Sequence, residues 1–134
     1  MEERQRRLAA IMFSDMVGYT ALMQENEPKA TALRDRCREI LRRFVGQHGG
    51  QILQFYGDGA LSTFLSAIEA TRCAIDIQQA QREELDVAVR IGIHVGDVVF
   101  EKEGIVGDGV NVASRIESQA APGGICVSER VYDD

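Results

Sequence analysis

The 134-residue sequence predicts an α+β fold, a ferredoxin-like palm with the element order βαββαβ followed by an additional helix and strand. Three observations predict it. Leu8 to Phe13 is an almost continuous apolar run, the pattern of a strand buried on both faces. Gly57-Asp58-Gly59 separates two strand-like segments, as a tight hairpin requires. Apolar stripes at helical spacing stand before and after that hairpin, which supplies the alternation of helices with strands.

The elements follow in order. Met1 to Arg7 is charged and unpatterned and reads as a frayed end or the stub of a linker, leaving residues 8–134 as one domain. After the Leu8 to Phe13 strand, Gly18 lets the chain turn into a helix. Ala30, Leu33, Cys37, Ile40, Leu41 and Phe44 trace one face of a long helix that starts after Pro28 and closes at Gly49-Gly50. Gln51 to Tyr56 and Ala60 to Leu65 form the hairpin strands. Ile68, Thr71, Ile75 and Gln78 or Gln79 trace the core face of a second helix. Val87, Val89, Ile91, Ile93 and Val95 then share one face of a strand and leave Arg90 and His94 on the other; His94 reads as a packed sheet residue. A helix from Val110 to Gln119 and a strand from Gly124 to Val127 end the order.

Composition bounds the function. At 45% hydrophobic residues the chain can bury one core, and no apolar stretch approaches the roughly 20 residues of a membrane span, so no membrane contact is expected. A formal charge of −6 and the lack of a basic, aromatic-interleaved stripe argue against nucleic acid as a partner. Cys37, Cys73 and Cys126 are odd in number and sit at apolar positions, which reads as reduced core thiols of a cytoplasmic protein.

The chemistry gathers at element ends. Asp15 closes the first strand and Asp58 tips the hairpin, and no Cys/His ligand spacing accompanies them. Two such carboxylates suit Mg²⁺ or Mn²⁺ better than zinc and point to a phosphorylated substrate. The N–H groups of Val17, Gly18, Tyr19 and Thr20, at a helix start, are placed to take phosphate oxygens. Asn111 and Arg115 stand one helical turn apart, an amide beside a five-donor guanidinium, suited to a sugar hydroxyl and a phosphoryl group. Taken singly, each also fits a helix cap, a turn residue or a solvated face.

Read together, Phe13-Ser14-Asp15-Met16-Val17-Gly18-Tyr19-Thr20, Gly57-Asp58, Arg90-Ile91-Gly92-Ile93-His94-Val95-Gly96 and Gly107-Asp108-Gly109-Val110-Asn111-Val112-Ala113-Ser114-Arg115 resemble the ordered motifs of class III adenylate and guanylate cyclases. The resemblance runs from about Leu8 to the C-terminus. It implies that Asp15 and Asp58, helped by the Met16 carbonyl, bind two divalent metal ions, Mg²⁺ or Mn²⁺. Asn111 would orient the ribose, Arg115 would stabilise the α-phosphate under attack by the 3′-hydroxyl, and Arg90 would hold the distal phosphates. It further implies a homodimer, each site taking the Asp pair from one chain and the Asn/Arg pair from the other, with a second copy covering the sheet face that carries Arg90.

The chain departs from the family's pattern at the base. Adenylate cyclases of this class usually carry Lys where Gln54 stands and Asp or Thr where Gly104 stands, so neither usual base reader is present. Gln54 can still donate and accept at a purine edge, whereas Gly104 offers only backbone. Gln54 lacks the charge of the Glu that guanylate cyclases commonly use, so ATP is the expected substrate and GTP the alternative. The family's domain normally continues past the Gly124 to Val127 strand into a strand pair bearing a phosphate-contacting Lys, so the resemblance implies a domain truncated at the C-terminus. Two rival readings are a catalytically weak pseudo-cyclase serving as a dimerisation or regulatory module and a diguanylate cyclase. The second would show a Gly-Gly-Asp/Glu-Glu-Phe turn, which Tyr56-Gly57-Asp58-Gly59 is not.

Overall fold

The structure, a computed structural model, describes residues 5–85, 87–101, 104–128 and 131. Its elements are β1 (Gln5–Met16), α1 (Tyr19–Glu25), α2 (Glu27–Gln47), β2 (Gln51–Tyr56), β3 (Gly59–Phe64), α3 (Ala67–Ala80), β4 (Val89–Glu101), β5 (Gly104–Val106), α4 (Asp108–Ser118) and β6 (Ile125–Val127), with a π-helical turn over Gln81–Leu85 after α3. The strands form one sheet in the order β2-β3-β1-β4-β5, and β6 runs parallel to β4 beside Ile91 to Ile93. This is the α+β arrangement that the element order predicts. No helix among the described residues is long and apolar enough to cross a membrane.

β1 is longer than its apolar run. Gln5, Arg6 and Arg7, expected within a frayed segment, pair with Phe100, Val99 and Val98 of β4. The Arg7 guanidinium lies 4.1 Å over the Phe100 ring, a cation–π contact that makes a charged strand end compatible with pairing. Residues 1–4 of that segment lie outside the described residues.

Side chains alternate across the sheet, and the two faces are covered differently. On one face Ala10, Met12, Ala60, Phe64, Val89, Ile91, Ile93 and Val95 pack against α2 and α3. The α2 stripe is as predicted, with Ala30, Cys37, Ile40 and Leu41 buried, joined by Val45. That of α3 is rotated from the prediction. Ile68 and Ile75 are 54% and 52% exposed, and the buried face is Ala67, Ala70, Cys73, Ala74, Ile77 and Gln78. Small side chains let this helix approach the sheet closely, which outweighs the hydrophobicity of the two isoleucines. Burial pushes the Cys73 thiol up to about 12, and Cys37, Cys73 and Cys126 are all free.

The opposite face is not left wholly for a second copy, as the sequence suggested. α4 lies across it over β1 and β4, where Ala113 joins Ala9, Ile11, Leu61 and Val98 in a second core. Gly92 permits this seat: a Cβ there would stand 2.5 Å from Glu117 Cα, so any side chain would lift the helix. The β2 side of the same face stays open, with Tyr56 exposed and stacked on Phe13 at 6.1 Å between ring centroids.

Candidate active site

Asp15 and Asp58 come together. β1 carries Asp15 at its end, in register with Arg90 of β4, and the β2–β3 turn brings Asp58 beside it. The backbone N–H of Met16 donates to Asp58 Oδ2 at 3.0 Å, and Asp58 also accepts from its own backbone N–H. Gly59 makes the approach possible, because a Cβ there would meet the Ser14 carbonyl at 3.0 Å and the Asp15 Cβ at 3.6 Å. Burial holds the Asp58 carboxyl above its ordinary value, and the Asp15 charge adds to the shift against the two N–H bonds that oppose it.

These residues fit a divalent cation. Asp15 Oδ1 is buried and has no hydrogen-bond partner among the described residues, an acceptor that a cation would satisfy. Among the described residues no group of three or more His, Cys, Asp or Glu side chains is arranged as a complete metal cage. Two carboxylates completed by substrate oxygens are what a Mg²⁺-type site uses.

The turn after β1 differs in one respect from the expectation. Gly18 adopts φ 79° as the N-cap of α1 and has no side-chain cap there, but Val17 N–H already donates to the Ala88 carbonyl at 2.9 Å. Val17 is therefore not a free phosphate donor, because β4 begins alongside β1 and takes it up. Arg90 is likewise partly committed: its Nε donates to the Ala120 carbonyl just past the end of α4 at 3.1 Å. Gln54 is exposed and pairs with Leu61 on the face that carries Phe13, and Gly104 opens β5 opposite Glu101.

α4 divides its residues between two sides. Ala113 and Glu117 are buried against the sheet, whereas Asn111 and Arg115 are exposed. At about 100° per residue, the pair points roughly away from the buried side. Within one chain, then, Asn111 and Arg115 do not face Asp15 and Asp58.

Sequence reasoning missed Glu117. Its side chain is 6% exposed, lies against Asp15, and leaves Oε1 without a partner among the described residues. Burial holds its carboxyl well above the usual carboxylate range, the contact with Asp15 adds to the rise, and Arg90 opposes it. The signal was a carboxylate at the i+4 position from Ala113 on an otherwise apolar helix face.

Comparison with known proteins matches the chain to a family. The sequence profile of the adenylate and guanylate cyclase catalytic domain matches residues 1–133. A Rhizobium meliloti (strain 1021) protein, named provisionally as adenylate cyclase 3, is 41% identical over 140 residues, covering 98% of this chain and 24% of its own length. The chain thus spans about a quarter of that relative. Among solved structures, an adenylate/guanylate cyclase/hydrolase from Silicibacter pomeroyi superposes with a TM-score of 0.89 at 44% identity, over 98% of this chain and 81% of that one. The adenylyl cyclase CyaB from P. aeruginosa does so with a TM-score of 0.88 at 26% identity, over 98% and 81%. With its two carboxylates at adjoining strand ends and its Asn/Arg pair on the helix that crosses the sheet, this chain belongs to the adenylate and guanylate cyclase catalytic domain family.

Proposed function

We propose that the domain converts ATP to 3′,5′-cyclic AMP and pyrophosphate in a homodimer with two shared sites. Asp15 and Asp58 of one chain would act with Asn111 and Arg115 of the other. The observation that supports this most directly is the split of α4. Asn111 and Arg115 stand exposed on the side away from their own carboxylates, so only another chain can bring them to an Asp pair without unseating the helix.

The residues divide the work by charge. When bound by Asp15, Asp58 and the Met16 carbonyl, two Mg²⁺ or Mn²⁺ ions supply neutralisation of the triphosphate and a lowered pKa for the attacking 3′-hydroxyl. Gly18, Tyr19 and Thr20 offer backbone N–H groups to phosphate oxygens. Asn111 orients the ribose so that its 3′-hydroxyl lies in line with the α-phosphate. Arg115 meets the negative charge that builds on that phosphate as pyrophosphate leaves. Arg90, with Nε engaged by Ala120, would offer its terminal nitrogens to the distal phosphates. No covalent protein nucleophile is required.

Adenine is favoured by the names of the relatives at 41% and 26% identity and by the neutral side chain of Gln54. The exposed Gln54 and the absence of a side chain at Gly104 keep GTP as the second reading. Incubation with each of the four nucleoside triphosphates and Mn²⁺, followed by chromatography, tests both. Cyclic AMP from ATP is expected, formed faster with Mn²⁺ than with Mg²⁺. Exclusive turnover of GTP would keep the chemistry and overturn the base, and no cyclic product from any triphosphate would overturn the reading and favour the regulatory module.

A further inference from the structure

Arg38 reaches from the middle of α2 to the turn that carries Asp58. Its Nη2 donates to the Gly57 carbonyl at 2.7 Å, and its guanidinium lies 4.5 Å over the Phe55 ring, with Arg42 at 5.1 Å from the same ring. Arg38 Nε is buried without a partner among the described residues. A guanidinium that keeps one donor unmet to hold this carbonyl is poorly explained by stability alone.

The bond acts on one rigid unit. The carbonyl of Gly57 and the N–H of Asp58 belong to a single planar peptide group and point in opposite directions. That N–H is the one that donates to the Asp58 carboxylate. Gly57 itself has φ 55°, so the plane is set by a turn residue that would otherwise have wide freedom. Arg38 holds the carbonyl end, the Asp58 carboxylate takes the N–H end, and Met16 N–H fixes Oδ2 from β1. Donation to the carbonyl also polarises the peptide group and strengthens its N–H as a donor.

We infer that Arg38 is a positioning residue for metal binding: through the Gly57–Asp58 peptide plane it aims the Asp58 carboxylate at the cation. This rests on the reading of Asp15 and Asp58 as metal ligands. Lysine at this position would retain a single donor to the carbonyl without the planar contact to Phe55, and methionine would retain only apolar packing.

The test is Mn²⁺ binding to the nucleotide-free protein, followed by electron paramagnetic resonance, with thermal melting alongside. Asp58→Ala should abolish binding. Arg38→Met should weaken it by about tenfold, as loss of a group that orients a ligand typically does, with Arg38→Lys in between and the melting temperatures near that of the wild type. Arg38→Met and Arg38→Lys with wild-type affinity, while Asp58→Ala has none, would overturn the role of Arg38 and leave the metal site standing. Wild-type binding by Asp58→Ala would overturn the site itself. If Arg38→Met does not fold, Arg38→Lys decides alone, since weakened binding in a folded lysine variant is expected and unaltered binding refutes the role.

Discussion

The backbone N–H of Met16 donates to Asp58 Oδ2 at 3.0 Å, joining the end of β1 to the tip of a hairpin 42 residues away. The bond holds two carboxylates side by side against their mutual repulsion, and it uses only one of Asp58's oxygens. Burial leaves Asp58 with a raised pKa, so without a cation its charged form carries a desolvation cost.

The first prediction follows from that cost. Asp15→Ala and Asp58→Ala should each abolish turnover and leave the fold intact, because both side chains sit at element ends. Asp58→Asn keeps an acceptor for Met16 but loses the charge. A raised carboxyl pKa stabilises the fold at low pH and loses that contribution as pH rises through it, so at pH 7 the neutral variant should melt at or above the wild type. Mn²⁺ at 100 times its Kd should stabilise the wild type by about 2.7 kcal/mol and Asp58→Asn hardly at all. Scanning fluorimetry with and without Mn²⁺ reads both effects.

A second prediction concerns the far end of α2. His48, its C-cap, faces carboxylates with both ring nitrogens, Nδ1 at 3.2 Å from Glu69 Oε2 and Nε2 at 2.8 Å from Asp76 Oδ2. The bond to Asp76 chiefly, then that to Glu69, raises its pKa above the ordinary 6.5, against the effect of burial. The stabilisation is complete below pH 6.5 and is lost as pH rises through the raised folded value. His48→Ala should therefore cost about 1 kcal/mol at pH 6 and less at pH 9, read as a narrowing difference in melting temperature. An equal difference at both pH values would count against a charged His48.

Much of this was legible in the sequence where local chemistry decides structure. Gly57-Asp58-Gly59 between two β-rich segments places the hairpin to within a residue, and the apolar run before Asp15 places that carboxylate at a strand end. What could not be read depends on packing across the chain. The sequence pattern places the α3 stripe on the larger residues, yet proximity to the sheet selects Ala70, Cys73 and Ala74 and turns Ile68 and Ile75 outward. The cover that α4 lays over the second face turns on Gly92, a strand glycine whose partner at Glu117 is 25 residues on. Arg38 and Glu117 look like ordinary helix-surface charges until the fold sets them against Gly57 and Asp15.

Gly92 supplies a third prediction. With a Cβ placed 2.5 Å from Glu117 Cα, Gly92→Ala must shift the α4 backbone rather than a side chain. The cost should be about 1–3 kcal/mol, in the range of an overpacked core. Catalysis should fall further than stability, since α4 carries Asn111 and Arg115. A variant with wild-type melting and turnover would show that the helix is not held this closely.

The last prediction tests the shared site. Asn111 and Arg115 are exposed on α4 while Ala113 and Glu117 face the sheet, so the geometry of one chain separates the Asn/Arg pair from its own Asp pair. Asp15→Ala and Arg115→Ala homodimers should each be inactive. When the two are mixed in equal amounts and exchange freely, half of the dimers are heterodimers. Each heterodimer has one site with both defects and one with neither. The mixture should approach about a quarter of wild-type activity, half the dimers with half their sites working, if the sites are independent. Native mass spectrometry confirms that heterodimers form. Heterodimers that form and stay inactive would place all four residues in the site of one chain and remove the need for a partner.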